Sequence, residues 1–196
     1  MAAGLLSAMR HMPYYNYMSE YDQIRRQYRP EHIKVLLIAE SPPPPASADS
    51  SRHFYRSDKV RTGDRLFTNT IKALYPAAAD KTEKELEEEK EHWLRHFQAN
   101  GWYMIEALEQ SQQHKVTKAE RQELIQNNLS RLLKRVKELA DPSTKIILIK
   151  SNVFVVAAEP LRQAGYHVLN EQLLDYPGQY NQSAYRQKLA AMASDL

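Results

Sequence analysis

Two carboxylates stand at the ends of apolar runs, where a chain can use them for chemistry. Glu40 follows Ile33-Lys34-Val35-Leu36-Leu37-Ile38-Ala39, and Glu106 closes Gly101-Trp102-Tyr103-Met104-Ile105. A short, turn-bounded apolar run reads as a buried strand, and open α/β sheets bind ligands outside the carboxyl ends of their strands. An ionised carboxylate there can activate water, steady a developing positive charge, or accept hydrogen bonds from a ligand. Glu40 can instead cap the next turn or pair with Arg56 or Lys150. Two further stretches fall at equivalent places. Lys150-Ser151-Asn152 follows Lys145-Ile146-Ile147-Leu148-Ile149, and Tyr176-Pro177-Gly178 lies beyond Tyr166-His167-Val168-Leu169. The backbone N–H groups that open a helix after Lys150 suit an anion, with Lys150 adding charge; plain capping by Asn152 accounts for the same residues.

Between Ser41 and Thr62 the chain is long and irregular. Loops of that length inside a compact domain are usually functional or disordered. Pro42 to Ser51 is low in complexity, but His53-Phe54-Tyr55-Arg56 carries aromatics, and Arg52, Arg56, Lys59 and Arg61 surround them with cations. Cations interleaved with aromatics over a crevice suit a phosphate-bearing ligand. Tyr55 can stack on a base, or Phe54 and Tyr55 can pin the loop onto the core.

The elements that must position these residues alternate. Strands near residues 33–39, 102–106, 145–150 and 166–169 are separated by helices, which predicts a parallel sheet covered on both faces. The fold class expected is three-layer α/β/α with a central four-stranded parallel sheet. Residues 1–30 form a leader and a covering helix on which Tyr17, Tyr21, Ile24 and Tyr28 recur at helical spacing; residues 31–196 form one domain. Thr82-x-x-Glu85 and Thr117-x-x-Glu120 are capping boxes, each opening one long helix, to about Gln98 and to Leu139. Asp64 caps the helix carrying Phe67, Ile71 and Leu74. The outer face bearing Arg131, Lys134, Arg135 and Lys137 reads as solvated, as does the glutamate-rich start of the helix after Thr82.

Composition sets the outer limits. A net charge of +3 permits a phosphate-bearing partner. The absence of cysteine removes disulfides, thiolate nucleophiles and cysteine-ligated metals. His53 and His167 lack ligand spacing, so no metal site is assigned. With five glycines there is no phosphate-binding glycine loop or dinucleotide fingerprint, and no cofactor is expected. No run reaches transmembrane length and no signal peptide is apparent, so no membrane partner and a cytoplasmic location are expected.

The layout over residues 33–194 resembles the uracil-DNA glycosylase-like superfamily. Val35-Leu36-Leu37-Ile38-Ala39-Glu40-Ser41-Pro42 is similar to that superfamily's Gly-Glu-Ala-Pro motif, with Glu40 and Pro42 in register. The resemblance implies DNA or a nucleotide as partner, Glu40 as the residue that positions water, and Phe54 or Tyr55 as the stacking aromatic. It also places Glu106 where the family has a base-reading asparagine, and Tyr176-Pro177-Gly178 where it has His-Pro-Ser. Tyr176 then stands as the catalytic partner of Glu40, and Ser41, Phe54, Tyr55, Arg56, Glu106, Lys150, Ser151 and Asn152 as ligand-binding residues. An ionised glutamate only accepts, so it opposes a uracil carbonyl and suits a base edge with N–H donors. Two functions follow: hydrolysis of an N-glycosidic bond to a base other than uracil, or binding of a nucleic acid or nucleotide without turnover. One crevice holding Glu40, Tyr55, Glu106, Lys150 and Tyr176 is expected for either.

Overall fold

The computed structural model describes residues 20–44, 52–58, 63–111, 116–194 and 196. In chain order the elements are helix α1 (Glu20–Arg26), strand β1 (Val35–Ala39), helix α2 (Arg65–Leu74), α3 (Glu83–Glu88), α4 (Lys90–Ala99), strand β2 (Trp102–Glu106), α5 (Lys118–Asn127), α6 (Leu129–Leu139), strand β3 (Lys145–Leu148), α7 (Ser151–Gln163), strand β4 (His167–Val168) and α8 (Gln182–Ser194). The four strands form one all-parallel sheet in the order β2-β1-β3-β4, flanked by helices. Among the described residues no helix is long and apolar enough to cross a membrane.

β1 lies inside the sheet, which is why its five residues are apolar without alternation: each is buried whichever face it points to. Its register sets Ala39 beside Glu106 and Ile38 beside Leu148, so the carboxyl ends of β1, β2 and β3 come level. β2 is an edge strand, yet all five of its residues are buried. The Met104 N–H donates to the Tyr55 hydroxyl at 2.6 Å. The loop after β1 therefore covers the edge with a side chain where another strand would otherwise pair. Beyond β4, Asn170 plays a similar part for β3: its amide oxygen accepts from Leu148 N–H (2.6 Å) and its amide nitrogen donates to Leu148 C=O (2.9 Å).

Both expected capping boxes form, with each threonine hydroxyl accepting from the glutamate N–H and each glutamate reaching back. The two long helices behind them each break once. Glu89 leaves helical geometry and its carboxylate takes Lys81 and Trp93 Nε1, at 2.8 and 3.0 Å. Asn128 breaks the second helix, and its amide donates to Leu124 C=O at 2.8 Å; such side chains compete with the backbone for hydrogen bonds. The expected leader lies in the undescribed residues 1–19, together with Tyr17; Tyr21 and Tyr28 are buried, and Ile24 is half-buried.

Tyr55→Phe is expected to cost about 1–3 kcal/mol, because it leaves the Met104 amide buried without an acceptor. Urea denaturation checks this: the midpoint falls with unchanged slope, whereas an unchanged midpoint means that the loop does not guard the edge.

Candidate functional site

β1 delivers Glu40 to the carboxyl edge of the sheet, and three donors reach it there. Lys150 Nζ (2.8 Å) and Arg121 Nη1 (2.7 Å) converge on Oε1, while the Asn152 amide donates to Oε2 at 2.9 Å. Burial works against the charge, but the Lys150 and Asn152 hydrogen bonds and the two cations outweigh it and hold the carboxyl below its ordinary value. Glu40 is 5 % exposed. Asn152 is thus a partner of Glu40, and the position before helix α7 is taken by Lys150. Lys150 adopts φ 84°, a left-handed conformation that a side chain avoids at a cost of roughly 1–3 kcal/mol. Its N–H on Leu174 C=O (2.7 Å) and its Nζ on Glu40 fix that geometry.

The nearest cavity, of about 340 Å³, opens beside this cluster. Ser41, Phe54, Glu106 and Tyr176 line it, and Arg52, His53 and Arg121 lie on the same wall set. Glu40 and Lys150 belong instead to the polar cluster beneath, with Arg121 joining the two. Ser151 opens α7, half-buried, and like Asn152 is outside the cavity lining. Tyr55 is fully buried, and desolvation pushes its hydroxyl well up; its ring packs between Tyr28 and Tyr103, so it cannot stack on a ligand. Phe54, one residue earlier, lines the cavity in its place, with His53 and Tyr176. Arg56 turns inward, 2 % exposed, over the Tyr21 ring and onto Glu20, and so offers no charge to the crevice. Lys59 and Arg61 lie outside the described residues.

Glu106 is the charged centre of the cavity. Burial raises its carboxyl, but Arg25, then His53 and Arg135, prevail and hold it at about 2. Arg25 stands 2.7 Å from Oε2 and His53 Nε2 stands 3.3 Å from Oε1. Neither contact is an aligned hydrogen bond, since Oε2 and both His53 ring nitrogens lack a hydrogen-bond partner though buried. The Arg25 contact is an ion pair and the His53 contact a close approach, and they leave acceptor capacity on the carboxylate. The chain has no match among protein-family models, curated proteins or solved structures. Its chemistry therefore rests on these residues alone.

His53, Arg25, Arg121 and Arg135 are the site residues that sequence patterns do not reveal. His53 stacks on Tyr21 at 4.3 Å, and its carbonyl accepts from the buried Lys90 ammonium at 3.0 Å. Lys90 in turn meets Asp64, the cap of α2, at 2.6 Å. Arg135, expected on a solvated face, turns in and donates to the Glu106 and Ala107 carbonyls at 2.8 and 3.1 Å. Glu87, from the supposedly solvated glutamate run, is buried and accepts from Gly63 and Asp64 N–H groups. Arg135 and Glu87 thus depart from the solvated faces expected of them, because the deciding partner comes from another element. Among the described residues no group of three or more His, Cys, Asp or Glu side chains could hold a metal ion.

Proposed function

We propose that this chain is a divergent, uracil-DNA glycosylase-like three-layer domain whose crevice binds a nucleobase-bearing ligand, a nucleotide or a DNA base, without Glu40-driven turnover. The parallel sheet and its level carboxyl ends support the fold part of this reading. The single observation that carries the functional part is the engagement of Glu40 by Arg121, Lys150 and Asn152. A general base needs an open lone pair and a pKa near the working pH. Three donors occupy most of the acceptor positions of Glu40, its carboxyl is held below its ordinary value, and it stands outside the cavity lining.

The cavity volume of about 340 Å³ lies at the small end of ligand pockets, roughly 300–1,000 Å³. Phe54 supplies an aromatic wall and Glu106 a fixed acceptor. An ionised acceptor selects a base edge with N–H donors, as on an amino-bearing or protonated base, and opposes the carbonyls of uracil. Arg52 and Arg121 line the wall, and because Arg121 and Lys150 share the single charge of Glu40 the surplus there is positive, suited to a phosphate.

A second reading is favoured by the Glu106–His53 contact: hydrolysis of an N-glycosidic bond, with Glu106 steadying positive charge on the sugar or base. A base-release assay over a panel of normal and modified bases in DNA, together with calorimetric binding of the matching nucleosides, separates the two. Amino-bearing bases are expected to bind more tightly than uracil by about tenfold, one unpaired polar contact. No base release above background is expected from wild type or from Glu40→Gln. Release that disappears in Glu40→Gln overturns the binding reading; release that survives Glu40→Gln and disappears in Glu106→Gln establishes the second.

A further inference from the structure

A second cavity, of about 460 Å³, is lined by α1, α6 and the edge strand β2. Six of its lining residues are cations and three are carboxylates. The carboxylates do not neutralise it evenly. Arg25 is engaged by Asp22 and Glu106, and Arg131 with Arg135 shares Glu109. Arg26 and Lys134 are exposed at the cavity and meet no carboxylate among the described residues. Arg29 finds only the Glu138 carbonyl, at 3.5 Å.

Two of the lining guanidiniums also carry buried N–H donors without a hydrogen-bond partner. Arg25 is 6 % exposed and its Nε has no hydrogen-bond partner; Arg135 Nε and Nη1 are buried in the same condition. Buried guanidinium donors are costly to leave unpaired. Burial pushes Arg135 down and Arg25 pushes it further, against the pull of Glu109, so two like charges crowd one wall. Cations that serve only solubility spread over a surface. Here they converge on a concavity, with Arg26, Arg29 and Lys134 exposed at it.

We infer that this cleft is a binding site for a compact ligand carrying two or more closely spaced phosphate groups. Guanidinium forks match phosphate oxygens two at a time, and Lys134 adds a mobile point charge at the mouth. Glu109 and Glu138 interrupt the basic lining. A polymer backbone running across it would pass these carboxylates, whereas a compact polyanion fits on Arg26, Arg29 and Lys134, which meet no carboxylate among the described residues. The inference stands whether or not the crevice beside Glu40 takes a base.

Isothermal titration of the full chain with inorganic tripolyphosphate, at about 0.1 M salt so that diffuse surface attraction is screened, is the test. Saturable binding at one site is expected, with orthophosphate weaker. Arg26→Ala/Lys134→Ala should weaken tripolyphosphate by about tenfold or more, the loss of charge-assisted hydrogen bonds. Both side chains are exposed, so the variant should keep its circular dichroism and melting temperature. Lys118→Ala/Lys137→Ala, which removes the same charge from exposed positions outside the cleft lining, should leave the affinity unchanged. Absence of saturable binding overturns the inference, and so does an equal loss in the two double variants. Tighter binding of a single-stranded oligonucleotide than of tripolyphosphate, abolished by Arg26→Ala/Lys134→Ala, also overturns it and makes the cleft a strand-binding surface.

Discussion

Glu106→Ala is expected to lower folding stability by roughly 3–5 kcal/mol, the usual cost of leaving one partner of a buried ion pair behind. Arg25 would keep only Asp22, while 6 % exposed and close to Arg135. Against a total of about 5–15 kcal/mol for a typical domain, this is a large share. Glu106→Gln keeps the shape and removes the charge, so it isolates the electrostatic part. The folded carboxyl is held at about 2, below its ordinary value of 4.5. A carboxyl lowered in this way contributes stability that is fully present above 4.5 and is lost as the pH falls from there toward about 2. The stability difference between wild type and Glu106→Gln should therefore be constant above that window and shrink within it. Denaturant titrations at a series of pH values measure it. A difference independent of pH across the window means that Glu106 is not paired in the folded chain.

Asp64→Ala should have a comparable effect for a different reason. One carboxylate oxygen accepts from Phe67 N–H at 3.1 Å and caps α2, worth about 1 kcal/mol. The other takes the Lys90 ammonium at 2.6 Å, with both side chains almost wholly buried. Removing it strands that ammonium over the Phe67 ring, at a cost of roughly 3–5 kcal/mol. Lys90 also donates to the His53 carbonyl, so the damage should reach the crevice. The expected result is a large fall in melting temperature. Asp64→Ala/Lys90→Met, which leaves no unpaired charge, should recover much of the loss. A double variant as unstable as Asp64→Ala would mean that the cap, and not the buried charge, carries the effect.

Glu40 and Glu106 belong to the part of the site that is legible locally. The apolar runs before them have the length and composition of buried strands, and a parallel sheet puts their carboxyl ends together, as the registers of Ala39 with Glu106 and of Ile38 with Leu148 bear out. The capping boxes at Thr82 and Thr117 and the cap at Asp64 are likewise written within four residues of chain. What each carboxylate does is not written there. Glu40 is silenced by Arg121 from α5 and by Lys150 and Asn152 from the β3–α7 turn. Glu106 is charged and held by Arg25 from α1 and touched by His53 from a loop. Of the neighbours Phe54 and Tyr55, the sequence favours Tyr55 as the stacking aromatic, and the packed loop reverses this, turning Phe54 to the cavity and Tyr55 onto the edge strand. Periodicity fixes which residues share an element because backbone geometry is local. Which charges meet, and which of two adjacent rings is sealed, depends on distances between elements that only the packed sheet and helices define.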